Sequence, residues 1–201
     1  MSTPDTEVRS RPRSEVRERT SPPPPSRSTT LHILFVCTGN ICRSPTAERL
    51  ISAQAMKTGV TGLRASSAGT RAVIGHPIQR DAERVLMTLG GDPAHFAATQ
   101  LTGKIATSAD LILTMTRTHR NAVLEVAPQR LQRTFTLLEA ARLVTEQNAR
   151  TIADLANLRP HLDANDNVDI ADPIGHSPEV FAAIGNQIAA ALPPILELCR
   201  L

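Results

Sequence analysis

Residues 31–50 have the sequence LHILFVCTGNICRSPTAERL, which combines an apolar run, a polar loop and the start of a helical pattern. The apolar run, 31–36, is typical of a buried parallel strand. After the loop 37–43 the pattern becomes helical, with Ser44 suited to the cap and Pro45 to the first helical position. This strand–loop–helix unit indicates an α/β protein.

The alternation of strand and helix patterns continues along the chain. Runs rich in β-forming residues predict strands at 31–36, 63–68, 110–115 and 134–137. Helical periodicity predicts helices at 44–57, 77–89 and 117–127, and a last one beginning near 178. Residues 138–158 are predicted to be mostly helical. We expect Pro193 and Pro194 to kink or interrupt the last helix, because proline removes a helical hydrogen bond. The predicted fold is a three-layer α/β sandwich, with a four-stranded parallel sheet and helices on both faces.

Residues 1–30 differ in composition from the rest of the chain. They are rich in Ser, Thr, Arg and Pro and contain four consecutive prolines, 22–25. Such a segment buries too little apolar surface to offset the entropy of ordering it. We therefore predict a disordered tail over 1–30 and one folded domain over 31–201.

Composition and charge exclude several classes of function. The formal net charge is only +3, and part of it lies in the predicted tail, so the domain lacks the basic face of nucleic-acid-binding proteins. No run approaches about 18 apolar residues, and the N-terminus has no apolar secretory segment. The three cysteines, 37, 42 and 199, do not form a disulfide framework and indicate a reducing compartment. We expect a cytoplasmic protein with neither a nucleic-acid nor a membrane partner.

The loop after the first strand can form an anion site. Ligands of open α/β sheets bind at the carboxyl ends of the strands, where this chain places C-T-G-N-I-C-R-S. Wrapped ahead of a helix N-terminus, the loop would turn its backbone N–H groups inward around an anion. We expect Gly39 and Asn40 to adopt positive φ there, and Arg43 to offer a planar fork that matches two phosphate oxygens. The predicted phosphate-binding residues are Thr38, Gly39, Asn40, Ile41, Cys42 and Arg43.

Cys37 lies at the floor of this predicted loop. Amide dipoles and a guanidinium favour the thiolate, which is the nucleophilic form of cysteine. A thiolate held in an anion site is suited to attack phosphorus. The Cys-x5-Arg spacing alone is weak, but it becomes specific after a buried strand and before a Ser-Pro helix start. We predict Cys37 as the nucleophile and Arg43 as a phosphate ligand.

A phosphatase of this kind also needs an acid that protonates the leaving group. The long loop before the last helix offers Asp163, Asp166, Asp169 and Asp172. A solvated acidic loop would explain any of them equally well. Asp172 differs only in that Pro173 stiffens the backbone beside it, so from the residues alone it stays one candidate among four.

Several segments resemble the low-molecular-weight protein tyrosine phosphatases, over roughly residues 31–200. They are VCTGNICRSPTAER (36–49), SSAGTR (66–71), DLILTMTRTHR (110–120) and ADPIG (171–175). The resemblance implies hydrolysis of phosphate monoesters, chiefly protein phosphotyrosine, through a phosphocysteine intermediate and with no cofactor or metal. It implies that Cys37 is the nucleophile, Arg43 the phosphate clamp, and Asp172 first a general acid and then a general base.

The same resemblance implies roles for further residues. Asn40, Ser44 and Ser67 would support the phosphate loop. Cys42 would form a reversible disulfide with Cys37 after oxidation, for which a passive small side chain is the alternative. The implied partner is a phosphorylated protein, which for bacterial relatives is often a tyrosine kinase. The arginine-rich, lysine-poor composition resembles actinobacterial members.

The chain also departs from the family pattern. Ile174 and Gly175 stand where many relatives carry aromatic residues that wall the phenyl-phosphate slot. Phe96 stands at the position of a loop-bracing histidine, and His95 is one position away, so we give His95 no role. Residues 138–168 are longer than the compact members need.

Three alternative functions follow from the same motif. Thioredoxin-coupled arsenate reductases need two further cysteines, and none lies between Cys42 and Cys199. Protein-arginine phosphatases resemble this loop but carry Thr where Ile41 stands, and the bulky Ile favours a flat phenyl ester. A phosphate-binding module without turnover would not need the three predicted catalytic residues together.

Overall fold

A four-stranded sheet forms the centre of the fold. The computed structural model describes residues 30–163 and 167–200, so the predicted tail (apart from Thr30) and Asp166 lie outside the described residues. The strands are β1 (Leu31–Cys37), β2 (Leu63–Gly69), β3 (Leu111–Thr114) and β4 (Thr134–Thr136). Neighbouring strands pair in parallel in the order β2-β1-β3-β4. The predicted strands and their parallel arrangement are confirmed.

Helices connect these strands. The α-helices of the described residues are α1 (Arg43–Thr58), α2 (Arg80–Thr88), α3 (Gly103–Ser108), α4 (Arg117–Val126), α5 (Leu137–Glu146), α6 (Ile152–Leu158) and α7 (Pro178–Glu197). Short 3-10 helices cover Pro128–Arg133 and Arg159–His161. α3 was not predicted, because its six residues are too few to show a helical period.

The core lies on both faces of the sheet. Successive strand residues point to opposite faces, so Ile33 and Phe35 of β1 pack with α1, α5 and α7, and Leu34 and Val36 pack with α3 and α4. These four side chains have no solvent-exposed surface. A central strand buried on both faces reads as a continuous apolar run, as this one does. The predicted three-layer sandwich is confirmed.

Two predicted helices have different bounds. The prediction that residues 138–158 are mostly helical is confirmed, and the span is divided into two helices, α5 and α6. Asn148 adopts a φ of 58° between them, and Thr151 and Asp154 form a capping box that starts α6. α2 begins later than predicted because the side chain of Gln79 accepts the first free backbone N–H groups of the helix.

α7 continues through Pro193 and Pro194 to Glu197, so the predicted interruption is wrong. Each proline removes one N–H that would donate to a carbonyl of the preceding turn, but the buried face of the helix holds this part in place. That face consists of Phe181, Gly185, Ile188, Ala191, Leu192, Ile195 and Leu196. By length and composition alone α7 could span a membrane, which is weak evidence because its apolar face packs into the core against α1, α2 and α5.

Candidate active site

The loop between β1 and α1 lies at the carboxyl end of the central strand. Asn40 adopts a φ of 55°, as predicted, whereas Gly39 is absent from the residues with positive φ. The prediction for Gly39 is therefore wrong. A side chain at 39 would meet Ile41 and Val73 at 3.4 Å or more, which is ordinary contact. The left-handed residue that turns this loop is Asn40.

Hydrogen bonds from the buried Asn40 side chain fix the loop. Its Nδ2 donates to Oγ of Ser44 at 2.9 Å and to Oγ of Ser67 at 2.8 Å. Its Oδ1 accepts the backbone N–H of Thr99 at 2.7 Å. The structure thus brings together the three residues predicted to support the loop, and it adds an anchor that lies 59 positions away in the sequence.

Glu48 completes this network and was not predicted. The Ser67 hydroxyl donates to Oε2 of Glu48 at 2.6 Å. Burial raises the pKa of the Glu48 carboxyl, against the lowering effects of the Ser67 hydrogen bond and of Arg49. Phe96, at the position of the family's bracing histidine, packs against the core, and the Arg49 guanidinium lies 5.6 Å from its ring centroid. In this chain a carboxylate on α1 is therefore the acceptor for Ser67.

The segment after β2 wraps around the outside of the loop. The backbone N–H groups of residues 70, 71, 73 and 79 donate to the carbonyl oxygens of residues 37, 38, 39 and 41, at 2.7–3.0 Å. Because these carbonyl groups are bound on the outer side, the loop amides are available to the cavity inside. Gly69 permits this close approach, since a Cβ there would lie 2.5 Å from the carbonyl oxygen of Thr38.

Cys37 lies at the end of β1 and is 2% exposed. Its Sγ lies 2.9 Å from Oγ of Ser44. Since Ser44 Oγ already accepts from Asn40, the hydroxyl proton of Ser44 is free to donate to the sulfur. The Ser44 hydroxyl is thus a hydrogen-bond partner of the predicted nucleophile.

Arg43 and Asp172 meet above this sulfur. Arg43 is 4% exposed and donates from NH1 to the carbonyl of Ile170 at 3.0 Å and from NH2 to Oδ2 of Asp172 at 2.5 Å. Its Nε is buried and has no hydrogen-bond partner among the described residues. The loop that carries Asp172 is tied to the sheet by a bond from the Ile170 N–H to the carbonyl of Met115, at 2.8 Å.

One cavity of about 330 Å³ contains all three predicted catalytic residues. It is lined by Cys37, Thr38, Gly39, Ile41, Cys42, Arg43, Arg71, Val73, Asp172 and Ile174. All the predicted phosphate-binding residues line it except Asn40, whose side chain supports the loop from behind. Arg71 and Val73 were not predicted as lining residues, because only the folded loop brings them there.

The other acidic candidates lie elsewhere. Oδ1 of Asp169 accepts the backbone N–H of Arg117 at 2.8 Å, and Asp163 lines a separate cavity with Arg120 and Glu139. Asp172 is the acidic residue that lines the Cys37 cavity within the described ranges. Of the three candidate carboxylates that the structure describes, Asp172 is therefore the one in the cavity with Cys37, and Asp169 lines the neighbouring cavity.

The cysteines differ in environment. Cys42 lines the Cys37 cavity, and burial, followed by the neighbouring charge of Cys37, raises the pKa of its thiol to about 12. Cys199 lies at the end of α7, outside this cavity. Burial raises the pKa of its thiol to about 12, and its Sγ lies 3.3 Å from the carbonyl of Ile195. All three cysteines are free thiols.

His119 also reaches the phosphate loop, and no role was predicted for it. Its ring lies between Thr38 and Thr116, and burial together with the Arg43 charge lowers its pKa to about 4. The sequence could have indicated this residue, because it follows the predicted strand 110–115 and so lies at the carboxyl edge of the sheet, where ligands bind. Among the described residues, no group of three or more His, Cys, Asp or Glu side chains is placed to hold a metal.

The sequence of this chain is similar to those of known phosphatases. Residues 32–154 match the family model described as low molecular weight phosphotyrosine protein phosphatase. The low molecular weight protein-tyrosine-phosphatase Etp of Escherichia coli K12 is 38% identical over 97 residues, which are 48% of this chain and 62% of Etp. The chain thus spans less than two thirds of the length of that relative. The protein-arginine-phosphatase of Geobacillus stearothermophilus is 30% identical over 165 residues, 82% of this chain and 93% of that protein.

Solved structures agree with the sequence matches. The tyrosine phosphatase amsI of Erwinia amylovora superposes with a TM-score of 0.64 at 27% identity, covering 83% of this chain and 91% of amsI. The low molecular weight protein tyrosine phosphatase of T. tengcongensis gives a TM-score of 0.67 at 27% identity, covering 83% of this chain and 98% of that one. This chain belongs to the low molecular weight phosphotyrosine protein phosphatase family.

Proposed function

We propose that this protein hydrolyses phosphate monoesters of proteins, with phosphotyrosine as the preferred substrate, through a phosphocysteine intermediate. One observation carries the proposal: Cys37, Arg43 and Asp172 line one cavity, and Nε of Arg43 is buried with no hydrogen-bond partner in the described part of the chain. A buried unpaired donor on a cation is costly, and an oxyanion would supply the missing acceptor. Phosphate fits this donor because the guanidinium fork matches two of its oxygens.

The first step transfers the phosphoryl group to sulfur. The Cys37 thiolate attacks phosphorus, an S–P bond forms, and the P–O bond to the leaving group breaks. Asp172 gives its proton to the leaving oxygen. The bound phosphoryl group takes over the guanidinium donors that Asp172 occupies in the free site, so the carboxyl is released to act on the leaving group.

The second step regenerates the enzyme. Asp172, now a carboxylate, accepts a proton from water as the water oxygen attacks phosphorus. The S–P bond breaks, and the Ser44 hydroxyl donates to the returning thiolate. Inorganic phosphate leaves, and the protein needs no other reactant.

The walls of the cavity support an aryl ester as the substrate. Ile41, Val73 and Ile174 present aliphatic surfaces above the phosphate loop. Apolar surfaces on the walls suit the faces of a phenyl ring. The partner would be a phosphorylated protein, such as a bacterial tyrosine kinase, in the cytoplasm, where the free thiols of this chain stay reduced.

Protein-arginine phosphatase activity is the second candidate. It is favoured by the alignment with the Geobacillus stearothermophilus protein, which extends over most of both chains. Ile41 argues against it, since that branch carries Thr in the loop and a bulky side chain favours the flat ester. Phosphotyrosine and phosphoarginine peptides, compared on the wild type and on Ile41→Thr, separate the two. Equal preferences in both proteins would remove the argument from Ile41.

Hydrolysis of p-nitrophenyl phosphate tests the covalent mechanism. We expect turnover by the wild type and none by Cys37→Ser, because the serine hydroxyl is a poor nucleophile at neutral pH. Cys199→Ser is the matched control, since Cys199 lies at the end of α7 and outside the cavity; it should keep wild-type turnover. A Cys37→Ser protein with wild-type activity would end the proposal.

We also propose that Cys42 protects the nucleophile. Peroxide would oxidise Cys37 to a sulfenic acid with release of one water, and Cys42 would then displace a second water to form the disulfide. The position of Cys42 in the same cavity supports this step. After peroxide treatment, dithiothreitol should restore activity to the wild type and to Cys199→Ser but not to Cys42→Ser. Full recovery of Cys42→Ser would contradict the role.

A further inference from the structure

His119 connects the phosphate loop to the start of α4. Its Nε2 lies 2.9 Å from Oγ1 of Thr38, and its Nδ1 lies 2.8 Å from Oγ1 of Thr116. The ring is only 6% exposed, although 81 positions separate it from Thr38. The proposed reaction makes no use of this ring, yet it contacts the residue next to the nucleophile.

The surrounding hydrogen bonds favour one of the two neutral tautomers of the ring. Thr116 caps α4, and its Oγ1 accepts the backbone N–H of His119 at 3.2 Å. If Nδ1 were protonated, this oxygen would accept twice, and its own proton would have no acceptor among the described residues. Every proton is used when the Thr116 hydroxyl donates to Nδ1 and Nε2–H donates to Thr38.

The ring stays neutral at physiological pH. Burial, and then the positive charge of Arg43, lower the pKa of His119 to about 4. A neutral imidazole has one donor and one acceptor, so with the proton on Nε2 the hydrogen bonds run from Thr116 through His119 to Thr38.

Thr38 therefore accepts from His119 and keeps its own hydroxyl proton for another acceptor. Thr38 lines the Cys37 cavity and a neighbouring polar cavity of about 470 Å³, and both cavities include Arg43 and Asp172. A phosphoryl dianion is the strongest acceptor that the proposed reaction brings into this cleft.

We propose that the Thr38 hydroxyl donates to a phosphoryl oxygen, and that His119 is the positioning residue that holds this hydroxyl in its donating orientation. The inference rests on the proposed function, because it takes the phosphoryl group of that reaction as the acceptor. The hydroxyl adds a side-chain donor to the backbone amides and the guanidinium of the loop.

The hydroxyl and its orientation can be removed separately. Thr38→Val replaces the hydroxyl by a methyl group of the same shape, and we expect a fall in kcat/KM for p-nitrophenyl phosphate of about tenfold or more, the usual effect of a hydrogen bond to a charged group. Thr38→Ser should restore most of this loss. His119→Phe should cost roughly three- to tenfold, and His119→Gln, whose amide can still donate to Thr38, should recover part of it.

A double-mutant cycle tests whether His119 acts through Thr38. We expect the Thr38→Val, His119→Phe protein to be within about twofold of Thr38→Val alone, because no hydroxyl is left to orient. Thr118→Val, a substitution at an exposed threonine on the edge of the polar cavity, should stay within about twofold of the wild type. Additive losses in the cycle, or a Thr38→Ser protein as slow as Thr38→Val, would overturn the inference.

Phosphate binding separates this inference from the proposed function. Calorimetry with inorganic phosphate reports the contact without turnover, and we expect Thr38→Val to weaken binding by about the factor lost in kcat/KM. A wild type that binds phosphate but does not turn over would refute the proposed function and leave the Thr38 contact measurable. Unchanged phosphate affinity in Thr38→Val would refute the contact, whatever the turnover.

Discussion

Gly69 lies at the end of β2 against the phosphate loop, and we expect Gly69→Ala to disable the site. An added Cβ would lie 2.5 Å from the carbonyl oxygen of Thr38 and 3.0 Å from both Cα of Ala72 and Cβ of Asn40. Ordinary van der Waals contact begins at 3.4 Å. Two of these atoms belong to the backbone, so the strain cannot be relieved by a side-chain rotation.

The loop must therefore move by close to an ångström. A displacement of about 1 Å of a positioning group can lower the rate on the order of 10²-fold, and overpacking of this kind costs about 1–3 kcal/mol of stability. We expect kcat/KM for p-nitrophenyl phosphate to fall by roughly that factor at temperatures well below unfolding. Urea denaturation of the same protein measures the cost in stability.

Gly185→Ala is the matched control for this substitution. A Cβ at 185 would clash with the side chain of Val85 between α7 and α2, outside the Cys37 cavity. We expect a loss of stability with kcat/KM within about twofold of the wild type, because side chains rather than the phosphate loop absorb the clash. A Gly69→Ala protein with wild-type turnover, or a Gly185→Ala protein that loses as much activity, would refute the reasoning.

Two further predictions concern proton transfer and pH. Asp172→Ala should slow the hydrolysis of a phosphotyrosine peptide by about 10²–10⁴-fold. The loss on p-nitrophenyl phosphate should be smaller, because nitrophenolate leaves with little need for a proton. Equal losses on both substrates would argue against a general acid. His119 has a folded-state pKa of about 4, below its ordinary 6.5, so the unfolded chain binds more protons between these two pH values. The free energy of unfolding should therefore fall by at most about 3 kcal/mol as the pH drops from 6.5 to 4. Urea midpoints across this range check the prediction: His119→Phe should flatten the profile, and an identical slope in both proteins would contradict it.

The sequence predicted the parts of the fold that depend on local signals. β1 is a continuous apolar run, and α1 begins beside a Ser-Pro pair, so the loop between them and its nucleophile could be placed from neighbouring residues alone. The position of Asp172 could not, because its approach to Arg43 spans 129 positions of sequence. The resemblance to the family pointed to Asp172, and the folded chain brings Asp172 to Arg43, whereas Asp169 accepts from the backbone N–H of Arg117 and Asp163 lines another cavity.

The errors have local physical causes. Residues 138–158 are mostly helical, as predicted, but the sequence pattern did not locate the break between the two helices, where Asn148 has a positive φ and Thr151 caps α6. Gly39 and Asn40 were both suited to the left-handed conformation, and propensity could not tell which of them adopts it. The prolines of α7 showed the opposite case, in which burial of an apolar face outweighs an unfavourable local preference.

Glu48 and His119 were missed for a common reason, and it bears on how the loop works. A left-handed Asn40 costs free energy, so the loop keeps its shape only if the surrounding structure holds it. The restraints come from α1 through Glu48 and Ser67, from the backbone of Thr99, and from α4 through His119. Each restraint joins the loop to a different part of the chain, which is why no single motif contains them. The loop is therefore held in place without a ligand, so under the proposed function the binding energy of phosphate would not be consumed in ordering it.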